Sequence, residues 1–357
     1  MPSYFNNEGH ENSFIRCYEK IKDKNIFFIV PKANSSKEHK TLNKVINKKR
    51  SNFFFIKIFS EIIFFFSNIK SIDLIIKKNN KNNKNNKCIV FVDGGSLFFL
   101  LSFFFLQNKK NTEFIYYIRS TYNKIIKDFI FFLILKKFKK NFFKFKLVTD
   151  SLLVRKFLLR KTKLNAFILP IPHTVFRKIN RLENNLDSIN LFCAGGFRVD
   201  KFGNNLNLFL KKNDEDNYNL IISKDFIKPV DVSRITVKYF SNLNKTQYHN
   251  FFKKSDFILL PYEQESYKLK TSGIFVETII FGKIPIVTSD TWMANQLKMF
   301  NLRELIVDNW GFFKLSKLLK DINKNSFYKK LRHMQIFYNN FHNEDNFINK
   351  FTRVIKQ

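Results

Sequence analysis

Short apolar runs and helical patterns alternate through the second half of the chain, and this alternation limits the fold to few solutions. Helical patterns fill most of the gaps between the runs. Strands that are separated by helices pair in parallel through right-handed crossovers. We therefore predict an α/β domain in which helices cover both faces of a mostly parallel sheet. Its six predicted strands cover residues 191–194, 219–222, 235–239, 256–260, 284–288 and 304–307.

The first half of the chain shows the same alternation without repeating the sequence. Its predicted strands cover residues 26–30, 72–76, 88–92, 113–119, 145–148 and 166–169, and its predicted helices cover 12–22, 53–66, 97–106, 122–139 and 151–160. Pro170 and Pro172 end the last of these strands. The resulting prediction is a Rossmann-like domain over 1–172, a linker over 173–188, a second Rossmann-like domain over 189–325, and a C-terminal helix over 326–357 that packs back on the first domain.

The charge of the chain is strongly positive. A net charge of +34 over 357 residues favours nucleic acid or an anionic membrane as a partner. Codon bias gives a second explanation, because the abundant residues Phe, Lys, Asn and Ile all have AT-rich codons and such a genome enriches them without selection for binding. On this second explanation nucleic acid is not expected as a partner, and a peripheral contact with an anionic membrane stays open.

Cysteine usage and hydropathy favour a cytoplasmic protein. Cys17, Cys88 and Cys193 lie far apart and form no CxxC pair, which argues against a disulfide framework or a zinc site. No apolar stretch has the length of a transmembrane helix, and the N-terminal residues lack the pattern of a signal peptide. The expected location is the cytoplasm, with the inner face of the membrane as a second place of action.

Two segments of the second domain have the residues of a phosphate site. In the first, a strand ending at Leu260 leads through a polar loop to Ser272-Gly273, where a helix is predicted to begin. Such a helix start, at the carboxyl end of a parallel strand, is a favourable position for a phosphate. In the second, glycines after the strand at 191–194 allow a tight turn, and Arg198 and Lys201 supply two cations that can bind phosphates.

The first segment resembles the donor-binding segment of glycosyltransferases with two facing Rossmann-like domains, the GT-B fold, in the family 4-like group. Ser272, Gly273 and Glu277 match that group's SGxxxE pattern, and the Gly-Lys-hydrophobic-Pro strand that follows also matches. The resemblance implies that amides of the helix start meet the donor diphosphate and that Glu277 meets the ribose hydroxyls. A second glutamate of the pattern, which touches the sugar, is replaced here by Leu269, and Glu263 or Glu265 is its expected substitute.

The resemblance also implies roles for residues elsewhere in the chain. Arg198 and Lys201 resemble the family's two cations on the donor diphosphate, although at shorter spacing. An N-terminal loop with Gly9 and His10 occupies the place that faces the acceptor and the diphosphate. The expected catalytic residues are therefore Arg198, Lys201 and His10, and the expected donor-binding residues are Gly9, Gly196, Arg198, Lys201, Glu265, Thr271, Ser272, Gly273, Ile274 and Glu277.

The implied activity is transfer of a sugar from a nucleotide-diphosphate-sugar donor, with no cofactor and no metal. Retention of anomeric configuration, an acceptor-side first domain, and a glycan, lipid-linked sugar or cell-envelope polysaccharide as acceptor all follow from the resemblance. Two alternatives remain. A nucleotide-sugar epimerase on the same fold would need proton-transfer groups, for which His10, Asp93 and Glu263 are candidates. A basic nucleic-acid- or lipid-binding protein without catalysis would account for the charge, but not for the paired motifs.

Overall fold

A computed structural model describes residues 11–21, 66, 69, 73, 88–93, 97–105, 112–119, 125–141, 144–172, 189–195, 199–214, 218–223, 234–240, 243, 245–322 and 325–357. Two compact units are present: unit 1 comprises Met1–Leu169 with Phe347–Gln357, and unit 2 comprises Pro170–Asn346. The predicted strand at 26–30 and the predicted linker at 173–188 lie outside the described residues. Asp73, which falls in the predicted strand at 72–76, is helical, because an apolar run this short fits either structure.

Unit 1 is built on four parallel strands in the order β1-β2-β3-β4. The predicted helix at 97–106 ends early, and its last residues form a 3₁₀ turn, Phe103–Phe105. The described elements of unit 1 are α1 (Glu11–Lys20), β1 (Cys88–Asp93), α2 (Leu97–Ser102), β2 (Thr112–Ile118), α3 (Ile125–Asn141), β3 (Lys144–Thr149), α4 (Leu152–Thr162) and β4 (Ala166–Ile168), with most of the last helix of the chain, α13 (Glu344–Lys356).

Side chains of β2 alternate between two aromatic clusters, as the pleat of a strand requires. On one face, Phe114 packs against Phe103 and Phe138, with ring centroids 4.6 and 5.2 Å apart. On the other face, Tyr117 meets Phe14 of α1 at 6.0 Å, and Phe14 meets Phe347 of α13 at 5.3 Å. Helices α1 and α13 therefore cover one face of this sheet.

Two lysines of β3 bind the last turn of α13. Lys146 forms an ion pair with Glu113 and donates to the Val354 carbonyl at 2.8 Å, while Lys144 donates to the Gln357 carbonyl at 2.7 Å. The last carbonyls of a helix have no intrahelical donor and carry partial negative charge, so cations stabilise them.

Unit 2 is built on six parallel strands in the order β10-β9-β8-β5-β6-β7. Its elements are β5 (Ile189–Phe192), α5 (Val199–Phe202), α6 (Asn205–Lys212), β6 (Tyr218–Ser223), β7 (Thr236–Phe240), α7 (Lys245–Lys254), β8 (Phe257–Leu260), α8 (Gln264–Tyr267), α9 (Gly273–Ile280), β9 (Ile284–Thr288), α10 (Trp292–Met299), β10 (Ile306–Val307), α11 (Leu315–Ile322) and α12 (Asn325–Phe341).

The α/β fold class with parallel sheets is confirmed, and three local predictions need correction. The predicted loop at 261–271 contains a single helical turn, α8. The predicted strand at 304–307 is a 3₁₀ turn, Arg303–Leu305, followed by only two strand residues. The predicted C-terminal helix is two helices, because Asn343 begins a new one by accepting from the Asn346 amide at 2.8 Å.

Candidate functional site

The order of the unit 2 sheet reverses at β5, which pairs with β6 on one side and with β8 on the other. Because all six strands are parallel, the carboxyl ends of β5 and β8 lie at the same edge of the sheet. The chain leaves β5 and β8 on opposite sides, which opens a crevice between the two strand ends. Open α/β sheets bind ligands at this position.

The turn after β5 brings a buried lysine to the start of α9. Gly195 has φ of +95°, a conformation that L side chains rarely adopt. A Cβ on Gly195 would lie 3.0 Å from Lys201 Nζ and 3.1 Å from Ile274 Cδ1, so the Lys201 ammonium, the Gly195 backbone and the first turn of α9 are close neighbours. Lys201 is only 6% exposed, and its carbonyl accepts from the Glu263 amide at 2.8 Å. Two predicted site residues, Lys201 and Ile274, are therefore adjacent.

Aromatic rings and a neutral thiol surround the Lys201 ammonium. Its Nζ lies 4.5 Å from the centroid of the Tyr262 ring and 4.7 Å from that of Phe202, distances at which a ring face attracts a cation. Burial raises the pKa of Cys193 to about 12, although the nearby Lys201 charge acts in the opposite direction. Cys193 therefore stays a thiol at neutral pH and does not cancel the lysine charge.

Ser272 caps α9 as the sequence predicted. It has extended backbone, with φ −120°, and its side chain accepts from the Phe275 amide at 3.2 Å. The Gly273 and Ile274 amides have no acceptor within the helix, because no carbonyl precedes them by four helical residues. Partial positive charge at this helix end and the charge of Lys201 favour an anion at the same place.

Glu277 is held by a tyrosine that the sequence did not reveal. The carboxylate, in the second turn of α9, accepts from the Tyr248 hydroxyl at 2.8 Å, and Glu277 is 8% exposed. Burial and the Glu277 charge raise the pKa of Tyr248 well above its usual value, so its hydroxyl remains a donor. Tyr248 lies in α7, 29 residues before Glu277, and no local pattern connects the two positions.

The two glutamates expected to substitute at Leu269 have different surroundings. Glu263 is half-buried, and its carboxylate lies over Gly203, where a Cβ would overlap it. Glu265 has a side chain that is 86% exposed, and it lies 3.8 Å from Lys268, a contact that contributes little in water. The geometry favours Glu263 as the carboxylate next to the Lys201 turn, and the sugar contact of Glu265 stays a prediction.

Other predicted site residues are only partly tested by position. Gly9, His10, Gly196 and Arg198 lie outside the described residues, whereas Thr271 is half-buried immediately before the Ser272 cap. Within the described parts of the chain, no group of three or more His, Cys, Asp or Glu side chains could hold a metal ion. Among the helices that the structure describes, none has the length and apolar character needed to cross a membrane.

Comparison with solved structures identifies the fold. No protein-family profile and no curated protein matches the sequence. Sucrose-phosphate synthase from Thermosynechococcus elongatus is similar with a TM-score of 0.58 and 11% identity, over 82% of this chain and 78% of that chain. The trehalose-6-phosphate synthase OtsA gives 0.54 and 10%, over 87% and 79%. An S. aureus TarM mutant in complex with Fondaparinux, alpha-GlcNAc-glycerol and UDP gives 0.51 and 13%, over 75% and 55%.

These structural neighbours are GT-B glycosyltransferases, and the chain has the GT-B fold that the Ser272–Glu277 resemblance implied. Identities of 10 to 13% show the fold alone. Membership of the family 4-like group stays a prediction. The chain covers only 55% of the TarM chain.

Proposed function

We propose that the protein transfers a sugar from a nucleotide-diphosphate-sugar donor, which binds at the crevice between β5 and β8 of unit 2. One observation carries the proposal: the buried Lys201 ammonium lies beside Gly195 and Ile274 at the capped start of α9. The glycosyltransferase neighbours support it, and the UDP in the TarM complex supports a nucleotide as ligand.

The proposed chemistry follows from the charges at this helix start. Negative charge builds up on the diphosphate as the glycosidic bond breaks. Lys201 and the amides of Gly273 and Ile274 would stabilise that charge more in the transition state than in the bound donor. These groups already supply positive charge at the diphosphate, so the proposed reaction needs no metal. Arg198 would add a second cation, as the sequence predicts.

Glu277 is the proposed ribose ligand. A carboxylate accepts from two neighbouring hydroxyls, and the Tyr248 hydroxyl fixes its orientation at 2.8 Å before the donor arrives. The nucleoside would therefore lie on the α7 side of the crevice and the diphosphate on the α5 side. The proposed acceptor class remains a glycan, a lipid-linked sugar or a cell-envelope polysaccharide, and retention at the anomeric carbon is tested by NMR of the product.

Nucleotide binding tests the proposal directly. UDP, GDP, ADP and their sugar derivatives are screened by thermal unfolding, and the best ligand at about a hundredfold above its Kd is expected to stabilise the protein by roughly 2.7 kcal/mol. Glu277→Gln keeps an acceptor for Tyr248 and removes the charge, so it is expected to weaken the Kd by about tenfold without loss of folding. Glu304→Ala is the matched control, because Glu304 lies in the 3₁₀ turn after α10.

Product analysis separates the proposal from its alternatives. A transferase releases nucleoside diphosphate from the donor, an epimerase returns an altered nucleotide sugar, and a basic binding protein does neither. Absence of any nucleotide-dependent stabilisation, or equal binding by the Glu277→Gln and Glu304→Ala variants, would overturn the assignment of the crevice.

A further inference from the structure

A cavity of about 370 Å³ lies in unit 1 at the outer edge of the four-stranded sheet. Its floor is β4, the last strand in the described order, and its walls are helices α4 and α13. Nine residues line it: Arg155, Asn165, Ala166, Phe167, Ile168, Lys350, Arg353, Val354 and Gln357. None of the residues proposed for sugar transfer belongs to it, so the cavity needs its own explanation.

The lining of the cavity is cationic. Arg155 comes from α4, and Lys350 and Arg353 come from α13, whereas no Asp or Glu side chain lines the cavity. Lys350 and Arg353 are three positions apart on one helix, a spacing at which like charges repel each other. An anion in the cavity would reverse that repulsion and gain three attractive contacts.

Arg155 is oriented before any ligand arrives. Its Nε donates to Asn165 Oδ1 at 2.9 Å, which fixes the plane of the guanidinium. Helix α4 is itself fixed at both ends, by the Ser151 cap on the Val154 amide and by Lys163 in the left-handed conformation. The terminal nitrogens of Arg155 still carry four donor hydrogens, and a fixed guanidinium of this kind binds two oxygens of one anion.

We propose that this cavity binds a small ligand with a terminal phosphate, a phosphomonoester. Two guanidinium groups and an ammonium match the double charge and the three oxygens of that group better than they match a single carboxylate. The volume falls in the range of small-molecule sites. Phe167, which is 37% exposed, and Val354 give the organic part of the ligand an apolar wall.

The abundance of Lys and Arg requires a control for general electrostatics. The control is the variant R160Q/K161Q, because Arg160 and Lys161 lie on the same helix, are exposed and do not line the cavity. The test variant R155Q/R353Q removes the same two charges from the lining. Glucose 6-phosphate is the soluble probe, and glucose is its neutral control.

Calorimetric titration of the full chain is expected to show saturable binding of glucose 6-phosphate and none of glucose. R155Q/R353Q is expected to weaken the Kd by at least about tenfold, and R160Q/K161Q by less than about twofold. The single variant R353Q, at an exposed position, is expected to change the Kd in the same direction and gives an answer even if the double variant does not fold.

A lipid headgroup is a second source of the same chemistry. Flotation with phosphatidic acid vesicles, compared with phosphatidylcholine vesicles, distinguishes it from a soluble ligand. Binding of either phosphomonoester probe that is lost in R155Q/R353Q and retained in R160Q/K161Q supports the site. Equal losses in the two double variants, or no binding of either probe by the unmodified chain, overturn it.

Discussion

Units 1 and 2 each bury a lysine at a parallel sheet, and the surroundings of the two lysines differ. In unit 1 the Lys146 side chain is 10% exposed and meets the Glu113 carboxylate and the Val354 carbonyl. In unit 2, Lys201 is 6% exposed and lies over the rings of Phe202 and Tyr262 at the start of α9. Lys146 joins elements of the fold, whereas Lys201 is positioned where the sheet order reverses.

The order of the strands explains why only one lysine lies at a crevice. The described strands of unit 1 follow one another from β1 to β4, so successive connections continue in one direction. In unit 2 the sheet grows from β5 toward β6 and β7, and then from β5 toward β8 in the opposite direction. The reversal separates the turns after β5 and β8, and a buried cation between them can meet a ligand.

The largest expected effect is the loss of the unit 1 ion pair. Glu113→Ala leaves the buried Lys146 ammonium without its carboxylate, and breaking a buried pair in this way costs about 3–5 kcal/mol. Hydrogen exchange of the β2 and β3 amides measures the local free energy of opening. The control is Glu304→Ala, which breaks a more exposed pair at 3.8 Å and is expected to cost less than about 1 kcal/mol. Equal protection in the two variants would contradict a structural role for Lys146.

A buried histidine of unit 2 tests whether burial alone, away from the crevice, makes a polar group structural. His342 Nδ1 accepts from the Ile171 amide at 3.0 Å, and burial lowers the pKa of His342 to about 3. The pKa in the unfolded chain is higher, about 6.5, so the unfolded state takes up the proton first as pH falls. The contribution to stability is therefore complete above about pH 6.5, decreases toward pH 3, and is lower by about 2 kcal/mol at pH 5.

His342→Gln removes the titrating group and keeps an acceptor for the Ile171 amide. Urea unfolding between pH 4 and 8 is expected to show a flatter acid limb for this variant than for the parent protein. His333→Gln, at an exposed position of α12, controls for the loss of an imidazole. An acid limb that is the same in parent and His342→Gln would show that this buried histidine does not control the pH dependence.

The sequence predicted the features that depend on near neighbours. The Ser272 cap was readable because its bond to the Phe275 amide spans three residues, and the strands of unit 2 were readable as separate apolar runs. Helix α8 was not, because its single turn is packed through the ring of Tyr267 against Tyr262, with centroids 4.4 Å apart, rather than marked by a local cap or period.

Features that depend on distant residues could not be read from the sequence. The contact between Tyr248 and Glu277 joins two helices, and the cavity over β4 needs α4 and α13 together. The reversed strand order is likewise a result of which strands pair, and strand patterns contain no information about pairing. Lys201 was predicted from a motif, but its burial between two rings was not.

The smallest expected effect on stability belongs to the lysine at the crevice. Lys201→Met keeps an unbranched apolar side chain and removes the ammonium, and replacement of a buried charge by an apolar residue of similar volume is often neutral. We expect the free energy of unfolding to change by less than about 1 kcal/mol, while nucleotide binding weakens by about tenfold or more through loss of a charged hydrogen bond. Lys211→Met, at an exposed position of α6, is the matched control and should change neither quantity. Urea unfolding and nucleotide titration of the same samples measure both. If Lys201→Met instead lost several kcal/mol of stability and kept its nucleotide affinity, Lys201 would be a structural cation like Lys146, and the comparison between the units would fail.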